Sequence, residues 1–193
     1  MPKTGMQPVR RDALVRATIA EIGRMGSLDV TVAQIARRAG MSSALAHHYF
    51  GSKDQIFLAA MRHVMAIYGA EVRGALAAAT TARGRVEAIV RASFSTGSFR
   101  RDSVSAWLNF YVLAQTNDQA RRLLSVYQRR LRSNLVHGLR PLVGDRALAV
   151  AERIGATIDG VYIREALRGE APDGAKAADV VLGVLALETG VMP

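Results

Sequence analysis

The sequence predicts an all-α fold of about nine helices, divided into a small N-terminal module and a larger C-terminal one. Three observations carry this. Only five prolines interrupt the 193 residues, and apolar–polar alternation of β-branched residues is scarce. Apolar residues recur at helical spacing in successive segments, as in Ile56/Phe57, Ala60/Met61, Val64, Ile67/Tyr68 and Val72. Capping or stopping residues stand where the stripes begin or end: Gly26, Thr31, Gly40, Ser42, Asn117 and Gly144.

Composition narrows the partners. A net charge of +10 and a pI near 10.9 call for an acidic partner, with nucleic acid first and anionic membrane second. There is no cysteine, so neither a disulfide framework nor a thiolate zinc site is possible, which fits a reducing cytoplasm. The basic N-terminus has no apolar run behind it and does not read as a signal peptide. Val180 to Leu187 is too short an apolar run to span a bilayer. The basic groups do not oppose one long apolar face, which argues against a membrane-surface protein. No G-x-S-x-G, P-loop or G-x-G-x-x-G occurs, and the four histidines have no metal spacing, so neither an enzyme nor a cofactor is expected.

Residues 1–8 read as a basic arm. Lys3, Arg10 and Arg11 could reach a phosphate or a minor groove; the alternative is a solubilising tail. A first helix runs from about Val9 to Met25, with Leu14, Ala17, Ile22 and Met25 facing inward. Thr31 caps a short helix striped by Val32, Ile35 and Ala36, which Gly40 ends. Ser42 caps a second short helix, Ser43 to His47. Two short helices about a tight glycine turn form a helix-turn-helix, or else an ordinary αα-corner. Residues 1–53 carry eight Lys/Arg against three acids, the charge of a phosphate-neutralising surface.

The stretch A-x-R-A-G-M-S-S-A…H-Y-F-G-S-K resembles the DNA-binding signature of the TetR family of transcriptional repressors. MPKTGMQPVRR, AQIARRAGMS, HYF, AWLNF, RRLRSNL and IDGVYIR, in that order, are similar to segments of its BetI-type members, the choline-responsive repressors of glycine betaine synthesis. The resemblance spans nearly the whole chain. It departs from many relatives at His47, where they have a Tyr that commonly meets the DNA backbone.

Phosphate contacts are expected from Thr31, Ser42, Tyr49 and Lys53, the last because the family's Lys at this position binds a phosphate. Sequence choice is expected from Ser43, Ala44, Leu45, His47 and His48, the small and apolar pair meeting thymine methyls. Phe50 reads as core, and Tyr49 alternatively packs beneath the motif. A long helix from Asp54 to about Ala79 follows, then a break over Thr80 to Gly84. With no Gly/Ser linker, the boundary falls at this helix: residues 1–54 form the DNA-binding domain and residues 55–193 a helical ligand-binding and dimerisation domain. A helix shared in this way can carry movement between them.

Beyond Arg85 the aromatics gather. Trp107, Phe110 and Tyr111 lie at i, i+3 and i+4, Tyr127 follows, and Tyr162 stands three residues after Asp159. Aromatic faces and a carboxylate suit a quaternary ammonium; the alternative is plain core. The likeness of AWLNF and IDGVYIR to BetI-type segments implies choline. Asn117 and Asp118 cap a helix reaching Val143, loaded with solvated arginines and closed by Pro141 and Gly144. Two last helices, about Asp145–Arg168 and Ala175–Gly190, are striped by Ile154, Ile158, Val161, Leu182 and Leu185, which are assigned to a homodimer interface. The alternative is a monomeric bundle. A two-fold dimer matches a near-palindromic operator.

The expectation is therefore a repressor of choline-to-glycine-betaine synthesis and transport genes, released or modulated by choline. The alternative is a TetR-type repressor with another small-molecule effector.

Overall fold

The structure, a computed structural model, describes residues 6–95, 97, 99–168 and 170–190. Lys3 lies outside them. The described residues form nine α-helices and no strand: α1 (Met6–Met25), α2 (Val32–Arg38), α3 (Ser43–Phe50), α4 (Lys53–Ala78), α5 (Ala82–Ser93), α6 (Arg101–Thr116), α7 (Asp118–Val143), α8 (Ala147–Leu167) and α9 (Gly174–Thr189), with a 3₁₀ turn over Gly144–Arg146.

Side-chain caps set most of the starts. Thr31 and Gln34 form a reciprocal capping box on α2. Ser42, Ser52, Thr81 and Asn117 each accept from a backbone N–H three residues on, at 3.0–3.3 Å.

Four boundaries differ from the sequence reading. Helix α1 begins at Met6 rather than Val9, because Pro8 is tolerated in a first turn. Helix α3 continues to Phe50 and is stopped by Gly51 at φ 77°. Thr81 caps α5, so Gly84 lies inside a helix instead of in a break. Pro141 sits within the last turn of α7, and Gly144 at φ 57° supplies the stop.

Phe57, Leu14, Ile22, Ile35 and Met61 are fully buried under α2 and α3, and Phe110, Leu135, Leu139 and Ile154 fill the larger module. Helix α4 packs on α1 and α3 at one end and on α5, α6 and α7 further along. Helix α1 also crosses α6 at Gly23, where a Cβ would stand 2.4 Å from the Asp102 Cβ. Only a glycine permits that approach, so the small module is joined to the large one through α6 as well as α4. No described helix is long and apolar enough to cross a membrane.

The interface assignment requires correction. Ile154, Ile158 and Leu185 are 0% exposed, Val161 is buried and Leu182 is half-buried, all within one protomer. They pack α8 and α9 against the subunit's own core. The outer faces carry different residues: Leu148, Ile163 and Leu167 on α8, and Val180 and Leu187 on α9.

Candidate nucleic-acid interface and effector pocket

Helix α3 buries Ala46 and Phe50 and turns Ser43, Ala44, His47 and His48 outward as one exposed face. Leu45 and Tyr49 are half-buried at its edges. Thr31 and Ser42 are exposed at the starts of α2 and α3, with their hydroxyls engaged as caps. Lys53 is the first residue of α4, its ammonium 5.3 Å from the centre of the Phe57 ring.

His47 Nδ1 lies 3.2 Å from the Gly51 carbonyl, which can only accept. Nδ1 therefore carries a proton, and in the tautomer that this leaves for a neutral ring Nε2 is an acceptor. That suits an exocyclic amino group on a base edge better than a phosphate.

Much of the basic charge of this segment braces the fold. Glu21 on α1 is buried and receives Arg24 and Arg38, the latter from α2. The Arg38 guanidinium, more than Arg24, holds the Glu21 carboxyl below its ordinary pKa despite burial. Arg16 pairs with Asp12, and Arg11 donates to the Tyr49 carbonyl. Arg10, Arg11, Arg37 and Lys53 are the described cations of this segment that no described acid engages, and of these Arg11 is held by the Tyr49 carbonyl.

In the larger module the aromatics of four helices converge. A hollow of about 20 Å³ is lined by Val64 and Tyr68 of α4, Ser103 and Trp107 of α6, Tyr127 of α7 and Tyr162 of α8. Trp107 meets Tyr127 edge-on at 4.7 Å and Tyr111 at 5.8 Å between ring centres; Tyr68 meets Tyr127 at 5.4 Å. The Tyr162 hydroxyl donates to the Ser93 carbonyl, and its ring stacks on Phe94. Tyr111 donates to Asp159 Oδ1 at 2.8 Å. Asp159 and Tyr127 also face a cleft of about 670 Å³ between α7 and α8, so Tyr127 borders both hollow and cleft.

Burial raises the Asp159 pKa, and the Tyr111 hydrogen bond only partly opposes it. Desolvation also pushes the Tyr68 phenol up to about 12, so it stays a neutral donor.

Five of the six pocket residues named from sequence are thus brought together: Trp107, Tyr111, Tyr127, Asp159 and Tyr162. Phe110 is not among them. It is 1% exposed, packs into the core and lines neither hollow nor cleft. Tyr68 was missed because it stands 39 residues before Trp107 within an unremarkable apolar stripe. Its phenolic oxygen was the one available signal. Among the described residues no cluster of potential ligands could hold a metal ion.

The family model for the BetI-type transcriptional repressor C-terminal domain matches residues 82–188, and that for bacterial regulatory proteins of the tetR family matches residues 14–60. The HTH-type transcriptional regulator BetI of Brucella melitensis is 50% identical over 194 positions, covering 100% of this chain and 98% of the relative. Its counterpart in Rhizobium meliloti is 51% identical over 169 positions, covering 87% and 83%. Among solved structures, a putative transcriptional regulator from Pseudomonas aeruginosa PAO1 superposes with a TM-score of 0.79 at 26% identity, covering 95% of this chain and 92% of that one. One from Saccharomonospora viridis, in complex with choline, does so with a TM-score of 0.77 at 23% identity, covering 91% and 94%. A helix-turn-helix with an exposed reading face, a helical module behind it and relatives half identical from end to end lead to one conclusion: the chain belongs to the TetR family of DNA-binding transcriptional regulators, as a BetI-type repressor.

Proposed function

We propose that this repressor acts in the cytoplasm on genes of choline-to-glycine-betaine synthesis and transport, and that choline is its effector. The observation that carries the effector is the aromatic box of Tyr68, Trp107, Tyr127 and Tyr162 beside the Asp159 carboxylate. Ring faces attract a quaternary ammonium that cannot hydrogen-bond, and a carboxylate held by Tyr111 balances its charge. The S. viridis regulator, alike in fold, was solved with choline, which supports the fold's capacity for such a ligand.

In the structure described, the hollow has room for about one water. A trimethylammonium group enters the hollow only if its walls part, so the ligand favours a conformer different from this one. That differential affinity is what a switch requires. Trp107 and Tyr111 ride on α6, which crosses α1 at Gly23, and Glu21 two residues earlier holds α2 through Arg38. Displacement of α6 thereby reaches the DNA-reading helices.

Residues 1–54 serve as the DNA-binding module and residues 55–193 as the sensing and dimerising module. Thr31, Ser42, Tyr49 and Lys53 contact phosphates, and Ser43, Ala44, Leu45, His47 and His48 face the bases of a near-palindromic operator. Leu148, Ile163, Leu167, Val180 and Leu187 form the two-fold interface. These large side chains are 49–80% exposed and occupy one outer face of α8 and of α9.

Trp107 is the only tryptophan and reports directly on the box. Choline should change its emission saturably, while 3,3-dimethylbutanol, the uncharged isostere, should leave it unchanged. Equal responses to both would make the site a general apolar pocket. No response to either, with DNA binding intact, would assign a different effector.

A further inference from the structure

Arg11 precedes both matched stretches, and its charge and exposure suggest a hand on the DNA. We infer that Arg11 is instead a positioning residue for α3, fixing the orientation of the reading helix from behind and so contributing to sequence discrimination. This rests on α3 being the helix that reads DNA.

Helix α3 has eight residues, too few to be stable alone, so its orientation is imposed by what holds its ends. Ser42 holds the first turn. At the other end the Gly51 N–H donates to the His47 carbonyl at 2.7 Å and the Ser52 N–H to the Phe50 carbonyl at 2.9 Å. The Tyr49 carbonyl is taken by Arg11, reaching across from α1. The same guanidinium lies over the Phe50 ring, its central carbon 4.3 Å from the ring centre.

One planar group therefore grips two consecutive residues of α3, by a donor edge on Tyr49 and by its face on Phe50. A planar group anchored by one N–H and by its face fixes rotation as well as distance. Its positive charge also complements the negative C-terminal end of the helix dipole. These two contacts commit one N–H and one face of the exposed guanidinium to α3. Freed of this grip, α3 can rock on its Ser42 end. Base contacts, which demand register, suffer before phosphate contacts, which do not.

The test uses the full chain, a duplex that it selects from a randomised pool, and a scrambled duplex of equal length. Affinity for both is measured between about 50 and 200 mM salt, with melting temperature as a check on folding. Arg11→Ala should weaken binding to the selected duplex by about 10- to 100-fold, the cost of one disturbed base contact or slightly more. Binding to the scrambled duplex and the salt slope should be unchanged. Arg11→Lys, which keeps the charge and loses the planar fork, should not restore discrimination. Lys53→Ala provides the contrast, weakening both duplexes alike and lowering the slope by about 0.9.

Arg11→Ala behaving as Lys53→Ala, with rescue by lysine, would overturn the inference in favour of a phosphate contact. A lowered melting temperature with discrimination intact would overturn it in favour of stability alone. A wild-type protein that selects no duplex would remove the reading role of α3 itself, a different failure.

Discussion

Leu187→Glu is expected to convert the protein to a monomer and to weaken operator binding by on the order of 10²- to 10⁴-fold, since the second half-site is then no longer engaged at high effective concentration. Leu187 is 80% exposed and Leu167 is 79% exposed. Side chains of this kind, set together with Val180 and Ile163, make an apolar face that an isolated subunit gains nothing by displaying. Ala156 and Gly183 lie exposed along the same faces and allow close approach of a partner helix. A charge placed in such an interface would be desolvated without a partner, and its burial cost would work against assembly.

The contrasting substitution is Leu185→Ala. Leu185 is fully buried in the protomer, so its truncation should cost about 2–5 kcal/mol of folding stability without changing the oligomeric state of the folded protein. Sedimentation velocity and DNA-binding titration of the two variants separate interface from core. A Leu187→Glu protein that remains dimeric would place the interface elsewhere.

Asp159→Asn is expected to weaken choline binding by about 100-fold, the scale of removing one partner from a desolvated charge pair, while stabilising the free protein. Burial raises the Asp159 pKa, which means that the ionised form is disfavoured in the folded protein relative to the unfolded chain. An ionised Asp159 thus carries a penalty above its folded pKa. That penalty disappears as pH falls through the raised value, so acidification favours the free wild-type fold at this residue. The asparagine retains a carbonyl for the Tyr111 hydroxyl and carries no such penalty, so its stability lacks this component of pH dependence.

Ligand binding has the opposite sign. The cation needs the carboxylate, so wild-type affinity should fall as pH drops through the same window. The variant should bind weakly and without that dependence. Calorimetry across the acidic range checks both. Undiminished choline affinity in Asp159→Asn would leave the aromatic rings as the whole of the recognition.

The readable parts of this fold were those that local chemistry decides. Thr31 with Gln34, Ser42 and Asn117 cap helices through bonds reaching three residues, so short segments specify where α2, α3 and α7 begin. The Trp107/Tyr111 pair and the Asp159/Tyr162 pair were legible because helical spacing alone places each pair together. What failed needed information from across the fold. Helix α8 is apolar on two faces, one packed inside and one outside, and periodicity does not say which is which. Ile154 and Ile158 were therefore assigned to the face that Leu148 and Ile163 occupy. Phe110 shares a helix stripe with Trp107 yet points to the core, and Tyr68 reaches the box from a helix whose sequence gives no hint of it. A charge count likewise cannot distinguish Arg38, spent on Glu21, from Arg37, which no described acid engages.

The most direct test is fluorescence anisotropy of a labelled operator duplex bound by the full protein, at fixed salt, as choline is added. Release of the duplex by choline, and none by 3,3-dimethylbutanol at the same concentrations, is the predicted result. A complex that stays tight throughout the choline titration would contradict choline sensing while leaving the DNA-binding role of the family in place.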